Sequence, residues 1–195
     1  MRNIAVLVSG GGTNLQALID AQGKTLKSGK ITLVVANNAN AYALERAKKA
    51  GIDTAVVLKK DCGSQEAFED KLKEVLTNHS IDLIVLAGFM TILTESFTSA
   101  YPKRIINVHP SLIPSFCGEG FYGLRVHQAA LDYGVKVTGA TVHFVNEVPD
   151  GGQIIAQKAV YIEENDTPET LQRRVMEQAE WLLLPQAAET VCSQM

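Results

Sequence analysis

The sequence predicts an α/β fold: a Rossmann-like open, mostly parallel twisted sheet with helices on both faces. Three observations predict it. Apolar runs of strand length alternate with stretches of helical spacing along the chain. Most of the runs are nearly unbroken, as expected of strands covered on both faces. A glycine triplet, Gly10–Gly12, stands where the first run gives way to the first helical stretch, the place of ligand-binding loops in such folds.

The elements follow in order. "NIAVLVS" is a buried strand, and "TNLQALIDAQGKTLKSG" has helical apolar spacing with a Thr/Asn start. "ITLVVANN" is a second strand. "AYALERAKKAG" is a short helix closed by Gly51, a residue favoured just past a helix end. "TAVVL" is a third strand. "SQEAFEDKLKEVLTNHS" is an amphipathic helix with Ser64 as N-cap. "IDLIVLAGF" and "RIINVHP" are the fourth and fifth strands, the latter stopped by Pro110. "GLRVHQAALDYG" is a helix. "KVTGATVHFV" alternates more and predicts a longer strand with one less protected face, and "QIIAQKAVYI" is a further strand. The tail, Asp166 to Cys192, is helical, capped by Asp166 or Thr167 with Pro168 in its first turn. No linker or repeat interrupts the 195 residues, so residues 1–195 are read as one domain.

Composition narrows the function. A net charge of −3 argues against a nucleic-acid surface. No run approaches the roughly 18 apolar residues of a membrane span, and the N-terminus lacks signal-peptide regions. Cys62, Cys117 and Cys192 are odd in number and widely spaced, so neither a metal site nor a disulfide framework is expected. A reducing cytoplasm is the expected home.

The glycine loop suits an anion, because backbone N–H groups and a helix dipole converge there. It does not suit a dinucleotide: Leu15 occupies the third glycine position, and the second strand ends in Asn37 and Asn38 rather than an acid. It lacks the Gly-Lys-Ser/Thr of a triphosphate loop as well. A monophosphate with Gly12, Thr13 and Asn14 as donors remains, beside the plainer reading of a tight turn without ligand.

"INVHPSLIPSF" carries a second signal. Asn107 and His109 lie two apart on a strand, so they share a face, roughly 7 Å apart. They stand at its carboxyl end. Histidine shuttles protons near neutral pH, and the amide can donate to a developing oxyanion. Two such polar side chains need partners if buried. Asp150 precedes two glycines and reads, taken alone, as a turn. His143 reads as a core or edge histidine, and His79 and His127 as ordinary helix positions.

Together, "NIAVLVSGGGTNLQALID", "IDLIVLAGFMTIL", "INVHPSLIPSF", "GATVHFVNEVPDGGQII" and "RRVMEQAEWLLLP" resemble the phosphoribosylglycinamide formyltransferases, in the family's order and over nearly the whole chain. The resemblance implies formyl transfer from 10-formyltetrahydrofolate to the glycinamide amine of a ribonucleotide, with no metal. It implies a catalytic trio of Asn107, His109 and Asp150. It implies a ribonucleotide phosphate loop at Gly12, Thr13, Asn14 and Leu15, and Glu180 on the ribose. It implies folate contacts at Gln65, Met90, Thr91, Ile92 and Leu93, and from Asn146, Glu147, Val148 and Pro149 to Asp150, with Asn107 also touching the folate. Residues up to about 100 would then form the phosphate-binding half and the remainder the catalytic and folate-binding half. The partners implied are small molecules, for a monomer or weak homodimer.

Three departures qualify it. Thr91 and Gln65 stand where the family commonly has arginine, which implies weak recognition of the folate's glutamate tail. "SFCGEGFYGLRVHQAAL" is longer than the shortest family version and implies a lid, hinged at Gly118, Gly120 and Gly123. Met176 stands where a polar residue is common. The rival readings are a 10-formyltetrahydrofolate hydrolase, expected to carry a preceding regulatory domain, and a non-catalytic folate or nucleotide binder. Transfer to an initiator tRNA would need a basic nucleic-acid domain.

Overall fold

The computed structural model describes Met1–Met195. Its order is β1 (Arg2–Val8), α1 (Thr13–Ala21), β2 (Gly29–Ala36), α2 (Tyr42–Lys49), β3 (Asp53–Val56), α3 (Lys59–Cys62), α4 (Gln65–Asn78), β4 (Leu83–Leu86) and α5 (Glu95–Thr98). There follow β5 (Ile105–His109), α6 (Leu124–Tyr133), β6 (Val137–Phe144), β7 (Ile154–Tyr161), α7 (Pro168–Val175), a π-helical turn (Met176–Glu180) and α8 (Trp181–Gln194).

All seven strands form one open sheet in the order β3-β2-β1-β4-β5-β6-β7. The first five are parallel, and β6 and β7 run antiparallel at one edge. Alternate residues of β1 serve two cores. Ile4, Val6 and Val8 pack with α1, α2 and the tail helices. Ala5 and Leu7 pack with Phe68, Leu72 and Leu76 of α4 and Phe97 of α5. Helices therefore cover both faces, which is why β1 is unbrokenly apolar. Each fully buried side chain of this size contributes roughly 1.5–3 kcal/mol.

The chain leaves β1 toward β3, then returns to the other side of β1 as β4. The switch point lies between β1 and β4, and ligands bind at the carboxyl ends of strands there. The loops that leave those two ends hold Gly10–Gly12, with Thr13 and Asn14 opening α1, and Gly88–Met90.

Several local expectations are corrected. The first helix ends at Ala21 instead of reaching Gly29: Gln22 leaves helical geometry, its side chain accepts the Ile31 N–H at 2.8 Å, and Gly23 is left-handed. The short helices α3 and α5 carry too few residues to show a period. β6 has no less protected face, because Thr138 through His143 are all buried. Thr141, the polar residue at its centre, is satisfied internally. Thr141 donates to the Ser111 carbonyl at 2.7 Å and accepts from Ile113 N–H at 3.1 Å. The exposed edge is β7. Thr167 caps the tail with a reciprocal bond to Thr170. The tail itself is two helices joined by the π turn.

Candidate active site

A cavity of about 920 Å³ opens at the switch point, lined by the glycine loop, the ends of β4 and β5, the segment after Cys117, and one face of the tail. Asn107 and His109 occupy the end of β5. Antiparallel pairing sets Asn107 opposite His143 and His109 opposite Thr141. The register thus brings three polar side chains to one patch.

Asp150 arrives from the β6–β7 connection with a left-handed φ of 56°. Gly152 follows because nothing larger fits: a Cβ there would lie 1.8 Å from the Phe144 carbonyl oxygen. This turn aims the carboxylate at the patch. Its Oδ2 lies 3.4 Å from His109 Nδ1 and accepts the Gly118 N–H at 2.9 Å. Its Oδ1 lies 3.4 Å from His143 Nε2 and 3.5 Å from Asn107 Nδ2. Asn107 Nδ2 is 3.3 Å from His143 Nε2. Asn107, His109 and Asp150 converge, and His143 stands among them. Reading His143 as a core histidine captured its burial and missed its contact with Asp150.

Burial holds the His109 pKa below the ordinary imidazole value, against the pull of Asp150 and of the Phe116 carbonyl 2.9 Å from Nε2. Burial by itself would raise the Asp150 carboxyl. The His143 hydrogen bond, the His109 ring and the Gly118 N–H outweigh it, and the pKa lies below the usual aspartate value.

The opposite wall belongs to the glycine loop. Gly12 has φ 73°, and a Cβ on it would lie 2.6 Å from Ala43 Cβ. Asn14 Nδ2 donates to Glu180 Oε2 at 2.8 Å, while Asn14 Oδ1 is buried without a partner. Glu180 is 4% exposed, and burial pushes its pKa up to about 7, Asn14 opposing. Thr13 lines the cavity; Leu15 is buried in the core.

The residues expected on the folate side divide. Met90, Ile92 and Pro149 line the cavity with Asn107 and Asp150, and Met90 and Ile92 are largely exposed at its mouth. Leu93 is buried beneath α4 and α5. Thr91 accepts from Asn37 Nδ2 at 2.8 Å. Gln65 donates to Glu69 at 2.7 Å and to the Ile92 carbonyl at 3.1 Å. Asn146 and Glu147 border a separate hollow of about 260 Å³, and Val148 is exposed.

His127 corrects its sequence reading. It is 1% exposed, lines the cavity, and has no hydrogen-bond partner for either ring nitrogen. Burial lowers its pKa to about 4, with the nearby His109 adding to the effect, so the ring is neutral near pH 7. Its spacing carried a signal: it lies three residues before buried Ala130 and one after buried Val126. Gln172 also lines the cavity from α7, and nothing in its local sequence marked it.

Residues 2–187 match the formyl transferase family, and the chain belongs to it. It is 44% identical to the phosphoribosylglycinamide formyltransferase of Haemophilus influenzae over 91% of this chain and 82% of that one. It is 46% identical to the trifunctional purine biosynthetic protein adenosine-3 of Gallus gallus over 97% of this chain, which spans 18% of that relative's length. The crystal structure of glycinamide ribonucleotide transformylase 1 from Symbiobacterium toebii superposes with a TM-score of 0.93 at 41% identity, covering 100% of this chain and 89% of that one.

Proposed function

We propose that this protein transfers the formyl group of 10-formyltetrahydrofolate to the amine of 5-phosphoribosylglycinamide, giving formylglycinamide ribonucleotide and tetrahydrofolate in de novo purine biosynthesis. The observation that carries the reading is the convergence of Asn107, His109 and Asp150 in a cavity shared with an anion-suited loop. The names of the relatives agree with it.

The phosphate meets the N–H groups of Gly12, Thr13 and Asn14, with Leu15 anchoring the loop in the core. Glu180 accepts from the ribose hydroxyls. This sets the glycinamide amine toward the end of β5. The folate ring enters past Met90 and Ile92, beside the Asn146–Asp150 segment. The amine nitrogen bonds to the formyl carbon, and the carbonyl oxygen becomes an oxyanion. Asn107 Nδ2 donates to it; losing one such donor typically costs about 3–4 kcal/mol. The bond from that carbon to folate N10 then breaks. The amine loses a proton and N10 gains one.

The two imidazoles suit that transfer. Each lies between a backbone carbonyl and Asp150: His109 faces Phe116, and His143 faces the Phe144 carbonyl at 2.7 Å from Nδ1. A neutral ring has one N–H for two acceptors. A proton delivered to the cluster therefore finds a waiting acceptor, and the ionised Asp150 compensates its charge. Such relay is worth on the order of 10²–10⁴ in rate. The segment from Phe116 onward is fastened to both Asp150 and His109 through Gly118 N–H and the Phe116 carbonyl. Positive φ at Gly118, Gly120 and Gly123 suits it to act as the lid.

The substrates are small molecules. No helix is long and apolar enough to cross a membrane. Free Cys62, Cys117 and Cys192 support a cytoplasmic setting, where we read the protein as a monomer or weak homodimer.

The test mixes protein, formyl-folate and glycinamide ribonucleotide and follows folate deformylation. Product only with the ribonucleotide is expected. Product without it assigns a hydrolase, and none at all a binder. His109→Ala and Asp150→Asn should each lower turnover at least a hundredfold with the fold retained by circular dichroism.

A further inference from the structure

We propose that Arg46, a residue of α2 outside the cavity, is the positioning residue that turns the N–H groups of the glycine loop toward the substrate phosphate. The inference rests on the phosphate reading of that loop.

An anion loop needs its N–H groups in front and its carbonyls behind, since a carbonyl oxygen facing a phosphate repels it. Here the carbonyls are held from behind by α2. The Ala43 N–H donates to the Gly10 carbonyl at 3.1 Å. Arg46 Nε–H donates to the Gly11 carbonyl at 2.8 Å. In a trans peptide the N–H points opposite to its C=O. The N–H of Gly11 and that of Gly12 therefore point away from α2. The cavity lies on that side: Gly10–Asn14 line it and no residue of α2 does.

The guanidinium is itself anchored. Nη1 donates to Gln16 Oε1 at 3.1 Å, and the group stacks over the Tyr42 ring with its central carbon 5.1 Å from the centroid. One planar side chain so ties α1, α2 and the loop. Closeness demands it as well: α2 presses against Gly12 so tightly that even a methyl group would collide with Ala43. A cation on the Gly11 carbonyl further polarises that peptide and makes the Gly12 N–H a stronger donor. Arg46 touches no substrate in this arrangement; it acts through the peptide.

The test uses Arg46→Met and Arg46→Lys beside the wild-type chain. Calorimetric binding of ribose 5-phosphate reads the loop without any turnover. Kinetics then compare glycinamide ribonucleotide with the ribonucleoside that lacks the phosphate. In Arg46→Met we expect the Kd for ribose 5-phosphate and the KM for the ribonucleotide to rise about tenfold. We expect kcat within about twofold, and kcat/KM for the ribonucleoside and KM for formyl-folate unchanged. Arg46→Lys, which keeps a cationic donor, should recover part of the loss, and it carries the test if the methionine variant does not fold.

An unchanged Kd for ribose 5-phosphate overturns the proposal. So does an equal fall with ribonucleotide and ribonucleoside, which would make Arg46 a general staple of the fold. Failure of the wild type to formylate the ribonucleotide while still binding ribose 5-phosphate would overturn the proposed function and leave the Arg46 comparison readable. No binding of ribose 5-phosphate by the wild type overturns both the phosphate loop and the role of Arg46.

Discussion

Glu180 shows how one residue links stability, pH and binding. Burial raises its pKa from 4.5 to about 7, so the unfolded chain ionises it first and the folded chain resists. The pH-dependent cost of burying it is therefore absent in acid. The cost grows as pH rises from 4.5 and levels off above 7, at about 3 kcal/mol. Glu180→Gln should be more stable than wild type at pH 8 and equal to it near pH 4, by urea unfolding at both. Ribose hydroxyls favour the ionised form, so the KM for ribonucleotide should rise as pH falls from about 8 to 6. A KM flat over that range would deny Glu180 the ribose. Asn107 and His109 were legible as a polar pair at a strand end, whereas Asp150 by itself read as a turn and was marked only by the family resemblance. Gln172 was not legible, because an isolated polar side chain on a helix looks the same whether it faces water or a cavity, and His127 carried only the signal of its spacing from Val126 and Ala130.

At the scale of elements, the strand-to-helix junction after β1 is the most constrained segment. Gly12 needs a left-handed backbone and leaves no space for a methyl group, whereas a Cβ on Gly10 would meet no atom within 4 Å. Gly12→Ala should lose at least about 2 kcal/mol of stability and weaken ribonucleotide binding. Gly10→Ala should stay within about 0.5 kcal/mol of wild type. Equal losses in the two by chemical denaturation would show that packing against α2 is not what fixes the loop. The strands and their order of appearance were readable from apolar runs. The π turn was not: its residues, Met176–Glu180, have ordinary helical composition. Its consequence is local, since Glu180 closes it and accepts from Asn14 Nδ2 at 2.8 Å, beside the glycine loop.

At the scale of the molecule, the site draws on both ends of the chain. The glycine loop proposed for the phosphate follows β1, Asn107, proposed as the oxyanion donor, lies on β5, and Glu180, proposed for the ribose, lies in the tail, so the proposed phosphate-binding and catalytic halves share one sheet and one cavity. The mouth proposed for the folate has a particular electrostatic character. Thr91 is engaged by Asn37, and Gln65 by the carboxylate of Glu69 and the Ile92 carbonyl. Neither position supplies a cation for an anionic tail. Extending the folate with further glutamates should change its KM by less than about twofold in steady-state assays. A tenfold gain would point to cations elsewhere on this rim.

The sequence by itself determined the α/β class, the order of the strands and of the longer helices, the two-sided burial of the central strands and which residues to propose for the chemistry. These are local properties: hydrophobic period, turn chemistry and side-chain type act over a few residues. Only the tertiary structure decided that β6 is buried on both faces, that its register sets His143 against Asn107 and Asp150, that His127 faces the cavity, and that α2 stands behind the glycine loop. Those facts depend on which distant segments meet, and the packing of two cores around one sheet settles that only once the whole chain is folded.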